Sequence, residues 1–253
     1  MIIKVKQLIQ SIIPPGNYIS PFANTLNNHV VIITGGCRNV GKAIAESLYK
    51  EGASLALVSR NDTNFNNFLN FDPKRILLIK ANCINKEDVN RVVNLTIDKY
   101  GKVNTLINCA GKFINKPFVN TSINDYNLVI DNNLKSAFLM SSAVVPVFKK
   151  HKGGLIINIG SKISHNTNIT PNKVLYATAK YAIEGFSFAL NKELKPYGVR
   201  VTCLMPATIN TFLSLNSKNY LSAYDISSVA LMLIKFKNID FEGIIFKSIK
   251  HDI

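Results

Sequence analysis

Apolar residues in this chain follow two alternating rhythms. From residue 29 onward, short runs rich in β-branched side chains are separated by stretches whose apolar positions recur three and four apart. The runs are Val30–Ile33, Leu55–Val58, Ile76–Ile79, Thr105–Ile107, Leu155–Ile159, Val199–Leu204 and Gly243–Phe246. Continuous apolar strands imply burial on both faces, and the intervening helices supply the right-handed crossovers that a parallel sheet requires. The pattern predicts an α/β fold, a doubly wound, Rossmann-like parallel sheet of seven strands with helices on both faces, in one domain over residues 29–253. Residues 1–28 read differently: Ile2, Val5, Ile9 and Ile12 form one apolar stripe among Lys and Gln until Pro14 and Pro15 stop the helix, an amphipathic arm.

Composition narrows the function classes. Of 253 residues, 47% are hydrophobic and 18% charged, which excludes global disorder. The longest apolar runs are five or six residues, short of the roughly 20 that a spanning helix needs. Lys and Gln interrupt the arm where a secretory signal would need an apolar core, and an organelle leader would favour Arg and Ser, although organelle targeting by the arm stays open. Cys37, Cys83, Cys109 and Cys203 form no C-x-x-C pair, so reduced thiols and a cytoplasmic location are expected. The histidines His29, His151, His165 and His251 have no ligand spacing, and no metal is expected. The net charge of +15 comes from 25 Lys and 5 Arg spread along the chain. A reader of nucleic acid concentrates Arg and aromatics on one stripe, so nucleic acid is not the expected partner.

Candidate chemistry sits at the ends of the predicted strands. After the first comes Thr34-Gly35-Gly36-Cys37-Arg38-Asn39-Val40-Gly41 and then a helix, the context in which a glycine-rich turn brings backbone N–H groups and a helix N-terminus against a pyrophosphate. Asn108-Cys109-Ala110-Gly111 follows the fourth strand, Asn133 lies in a long helix, Ser161 follows the fifth strand, and Tyr176-Ala177-Thr178-Ala179-Lys180 opens another helix. Tyr176 and Lys180, four apart, share one helical face. Tyrosine is a poor acid at neutral pH, and a neighbouring ammonium favours its phenolate.

Together these motifs resemble the short-chain dehydrogenase/reductase family over roughly residues 29–247, in particular its NADP(H)-dependent carbonyl and 3-oxoacyl reductases. The resemblance implies that Tyr176 donates a proton to a carbonyl oxygen as hydride arrives at the carbon, that Lys180 tunes it and holds the nicotinamide ribose, that Ser161 rather than its neighbour Ser164 orients the substrate oxygen, and that Asn133 rather than Asn132 serves a proton relay. It implies cofactor contacts from Thr34, Gly35, Arg38, Asn39, Val40, Gly41, Ser59, Arg60, Asn82, Cys83, Asn108, Ala110, Gly111, Tyr176, Lys180, Pro206, Ala207, Ile209 and Thr211. In NAD-preferring relatives an acid ends the second strand; here Ser59-Arg60 stands there, no acid occurs until Asp62, and Arg38 adds a cation inside the turn, so NADP(H) is expected. The sequence departs from the family at Asn39, which replaces the middle glycine but tolerates a left-handed backbone, at Asn82, at Pro206-Ala207, and at Phe246-Lys247-Ser248-Ile249, where an Asp-Gly-Gly is usual.

Phe212, Leu213, Leu215, Tyr220 and Leu221 suggest a short apolar lid. The expected partners are a small-molecule or acyl-carrier carbonyl substrate and a second copy of the chain, in a homodimer or homotetramer, because the helices around Phe138–Phe148 and Ile183–Leu194 carry more apolar surface than one sheet face buries. The rival function, a catalytically silent nucleotide-binding or sensing protein with a basic partner surface, is disfavoured by the presence of both Tyr176 and Lys180.

Overall fold

The computed structural model describes residues 25–165, 169–209 and 220–247; most of the arm, Thr211, the lid positions Phe212, Leu213 and Leu215, and His251 lie outside them. Seven strands form one sheet in the order β3-β2-β1-β4-β5-β6-β7, parallel throughout. They are β1 (Val30–Thr34), β2 (Ser54–Ser59), β3 (Ile76–Lys80), β4 (Thr105–Asn108), β5 (Gly154–Ile159), β6 (Val199–Pro206) and β7 (Gly243–Phe246). Each contains its predicted run. The differences are at the ends: Pro206, read as following its strand, is the last residue of β6 and pairs in register with Phe246.

Among the described residues six α-helices cover the sheet: α1 (Asn39–Lys50), α2 (Lys86–Tyr100), α3 (Ile123–Ile130), α4 (Ser136–Lys150), α5 (Val174–Leu194) and α6 (Ala223–Lys235). Along β1, Val31 and Ile33 pack with Ile44, Leu48, Ala230 and Leu233 of α1 and α6, whereas Ile32 faces Val92, Val144 and Phe148 of α2 and α4. This two-sided burial is what turned the strands into unbroken apolar runs. Leu26, inside the segment read as the arm, joins the first of these clusters, and its N–H donates to Glu51 O.

The long helix expected around Asn133 is three pieces, because a π-helical turn, Asp131–Lys135, separates α3 from α4. Such turns free backbone carbonyls and cluster at functional sites. The freed carbonyl of Asn132 is taken up by Ser136 Oγ at 2.9 Å.

β1 neighbours β2 on one side and β4 on the other, so strand order reverses there and a crevice opens at the carboxyl ends of β1 and β4, the usual ligand position in this architecture. At the opposite end His29 Nε2 lies 2.9 Å from Thr105 Oγ1, joining the start of β1 to β4. Burial first, then the charges of Lys237 and Lys102, pull its pKa from 6.5 down to about 4. Between these values the folded state holds the imidazole neutral while the unfolded chain binds a proton, so stability falls as pH drops through that window. Thermal unfolding is expected to show a loss of about 2 kcal/mol from pH 7 to pH 4.5 that His29→Gln lacks; an identical pH profile in the variant would contradict this.

Candidate active site

The turn after β1 is shaped by close backbone approach. Gly35 has φ +64°, and a Cβ on Gly41 would stand 2.3 Å from Gly35 O, so both positions need glycine. Asn39 takes φ +45°, the left-handed conformation anticipated for it. The helix that follows starts bare: Arg38, at the N-cap of α1, makes no side-chain cap bond, and no acid lies in the first turn. By contrast α2, α3 and α6 are capped by Asn85, Ser122 and Ser222 and carry acids there. The free N–H groups and the positive end of α1 are thus left for an external anion.

Beside this turn lies a cleft of about 310 Å³. Of the expected cofactor residues, Gly35, Arg38, Ser59, Arg60, Asn82, Cys83, Ala110 and Gly111 line it. Three lining residues are cations, Arg38, Arg60 and Lys112, and none is an acid. Among the described residues neither guanidinium has an ion-pair partner, and the nearest acid in sequence, Asp62, is paired with Lys80 at 3.0 Å. An adenosine moiety with phosphates fits this chemistry: polar edges from Asn61, Asn64 and Asn82, positive charge at the rim, and glycine backbone for close approach.

Other expected cofactor residues act as braces. Thr34 Oγ1 is buried and accepts from Cys109 N and Ala110 N at 3.1 Å each, fixing the ends of β1 and β4. Asn108 Nδ2 donates to Asn158 Oδ1 at 2.8 Å, and Asn158 Nδ2 to Ser187 Oγ at 2.8 Å, a buried polar chain under the crevice. Ala207 N donates to Phe246 O, and Ile209 bridges to Leu221. Thr34, Asn39, Val40, Gly41, Asn108, Tyr176, Lys180, Pro206, Ala207 and Ile209 do not line the cleft. Ser59 Oγ is spent locally, donating to Asn61 O and accepting from Asn64 Nδ2. Cys37 and Cys83 also line the cleft, but burial pushes both thiols up to about 12, so neither is a nucleophile at neutral pH.

Two chains of contact draw the remaining site residues together. Lys180, buried on α5, donates to Ile159 O at 2.8 Å, which ties the helix to the end of β5 two residues before Ser161. Its Nζ is 5.6 Å from the centroid of the part-buried Tyr176 ring. On the other side, Asn133 Nδ2 donates to Val129 O and to Lys112 O, both at 2.8 Å, and Phe113, next to Lys112, stands edge-on to Tyr176 with centroids 5.0 Å apart. Asn133 Oδ1 is buried without a partner, and a Cβ on Gly111 would lie 2.7 Å from it. Asn132, the neighbour weighed against Asn133, lines the cleft and donates to Leu128 O.

Ser161 Oγ accepts from Ile163 N at 3.2 Å, a bond that does not use its own proton. Ser164 is buried and donates to Ser161 O at 3.0 Å. His165 lies 2.5 Å from Glu184 Oε1. Among the described residues no group of three His, Cys, Asp or Glu side chains could hold a metal ion, and no helix is long and apolar enough to cross a membrane.

Asn61, Asn64, Lys112 and Ser136 line the cleft without having been singled out in the sequence. The first two had a legible signal, asparagines three apart just past a strand end. The 3₁₀ turn that carries Asn64, Asp62–Phe68, is pinned over the phosphate turn by Asn67 Nδ2 to Cys37 O at 3.0 Å.

The chain matches the family model for short chain dehydrogenases over residues 29–220. An uncharacterized oxidoreductase of Staphylococcus aureus (strain USA300) is 28% identical over 187 residues, 74% of this chain and 80% of the relative. Among solved structures, a 3-ketoacyl-(acyl-carrier-protein) reductase from Brucella melitensis complexed with NADH superposes with a TM-score of 0.79 at 24% identity, covering 87% of this chain and 96% of that one. A short-chain type dehydrogenase/reductase from Mycobacterium marinum superposes at 0.82 with 20% identity, over 90% and 97%.

Proposed function

The chain belongs to the short chain dehydrogenase family, and from that premise we propose that it is an NADPH-dependent reductase of a ketone, aldehyde or 3-oxoacyl carbonyl. The observation that carries the reading is the buried Lys180 ammonium beside the Tyr176 ring, on the same edge of the sheet as a cleft whose charged lining residues are all cations. Gly35 and the bare N-terminus of α1 would receive the pyrophosphate, and Arg38 and Arg60 the 2′-phosphate.

Bound there, a reduced nicotinamide supplies the hydride. The rest of the chemistry belongs to the chain. Tyr176 Oη gives its proton to the carbonyl oxygen, and the Lys180 charge stabilises the phenolate left behind. Lys180 spends one of three donors on Ile159 O, keeping two for ribose hydroxyls. Ser161, whose bond from Ile163 N is accepted on a lone pair and does not use its proton, donates to the same carbonyl oxygen and orients it. Asn133 holds the loop at Lys112 and the π-helical turn in register, and from there supports proton return to Lys180.

Loss of reduced-nicotinamide absorbance is the test, with a panel of ketones, aldehydes, quinones and 3-oxoacyl thioesters. Turnover with at least one class is expected; no turnover with any would contradict the reading. The reading extends to assembly. Ile130, Leu134, Phe138, Ala182 and Phe186 form an apolar groove between the π-helical turn, α4 and α5, with Phe138 52% exposed. A second copy covering this face gives a dimer or tetramer. Light scattering at micromolar concentration is expected to give at least twice 28.1 kDa, and a monomer mass would refute it.

A further inference from the structure

The loop from Lys112 to Lys116 is held at both ends and in the middle. Asn133 Nδ2 grips Lys112 O, and Lys116 N donates to Asn172 O at 3.0 Å, just before the helix that carries Tyr176. Between these ties the side chains alternate. Ile114 packs inward on Val129, Leu175 and Ala179, which join α3 to α5, while Phe113 turns the other way onto Tyr176. The two rings are nearly perpendicular, at 89°, yet Phe113 remains 43% exposed. Core packing does not account for an aromatic ring fixed by three anchors and left open to solvent beside a reactive phenol.

We propose that Phe113 is the aromatic wall of the substrate site and selects carbonyl compounds that carry a flat apolar group, aryl above alkyl, next to the carbonyl carbon. This rests on the reductase reading of the site and adds its substrate class. A carbonyl oxygen must come within hydrogen-bond reach of Tyr176 Oη to receive a proton, which brings the carbonyl's substituent to the ring packed against that phenol. The part of the Phe113 ring still exposed offers offset or edge-on stacking, which a planar aryl group matches better than a short alkyl chain does.

The experiment compares methyl ketones whose second substituent is methyl, cyclohexyl or phenyl, in the wild type, Phe113→Ala and Phe113→Leu. Wild-type kcat/KM is expected to rise from methyl to phenyl, mainly through KM. In Phe113→Ala the phenyl-to-methyl ratio is expected to fall about tenfold, the scale of one aromatic contact. Phe113→Leu keeps an apolar side chain without a ring, and is expected to lose the phenyl-over-cyclohexyl step while keeping the cyclohexyl-over-methyl step. An unchanged ratio in both variants overturns the proposal. Titrating the same ketones into the NADPH complex of the Tyr176→Phe protein, with and without Phe113→Ala, reads the ratio in Kd without chemistry. A Kd ratio that shifts with Phe113 while the wild type turns nothing over keeps the wall and sinks the reductase. Turnover with unmoved ratios does the reverse.

Discussion

Tyr176→Phe is expected to lower kcat by about three orders of magnitude while leaving the fold and cofactor affinity close to wild type, because the change removes one oxygen and keeps the ring. The edge-on contact with Phe113 survives, as does the bond from Lys180 to Ile159 O, so neither the loop nor the helix loses an anchor. What disappears is the proton for the carbonyl oxygen. Lys180→Ala would be a poorer probe, since it removes a buried side chain and a hydrogen bond together with the charge. Stopped-flow rates beside thermal unfolding and NADPH titration check the expectation. A kcat within tenfold of wild type, with unfolding unchanged, would remove Tyr176 from the chemistry.

Arg38→Ala and Arg60→Ala are each expected to weaken NADPH about tenfold and to leave NADH within about threefold. Both side chains are exposed, which places each charge-assisted bond at the lower end of its usual range, about 1.5 kcal/mol. The cleft offers the 2′-phosphate two forked donors and no competing acid. The preference should also shrink with salt, because both pairs lie at the rim. Kd values for the two cofactors in the three proteins decide the matter; equal wild-type affinities, or a ratio that neither substitution moves, would show that these arginines do not read the phosphate. The Brucella reductase superposed above was crystallised with NADH, so the comparison with wild type has to include both forms.

How much the sequence revealed differs between the sheet and the site. β1 to β6 were visible because they are buried on both faces, or nearly so, and unbroken runs such as Val30–Ile33 need no knowledge of partners; β7, largely exposed, showed only as a short apolar run. The glycine turn was legible because Gly35 and Gly41 are dictated by local backbone geometry. The π-helical turn at Asp131–Lys135 was not: no glycine or proline marks it, and it is held by a local bond from Ser136 to Asn132 O and a long-range one from Asn133 to Lys112 O. Thr34 and Asn108 are read from the motif as cofactor contacts, and the structure adds that their side chains hold strand ends together. A motif reports that a residue matters near a site; only the partners show whether it touches a ligand or braces what does. Lys112 and Phe113 escaped notice for a related reason, since a loop position gains its role from Asn133 and Tyr176, 21 and 63 residues away.

The most direct test of hydride delivery coupled to the Tyr176 proton is the fate of a label. With NADPH deuterated at the transferring position of the nicotinamide and a ketone from the reactive class, one deuterium per turnover is expected at the carbinol carbon of the product, at a rate that collapses in Tyr176→Phe. Product without the label, or labelled product formed equally fast in the variant, would contradict it.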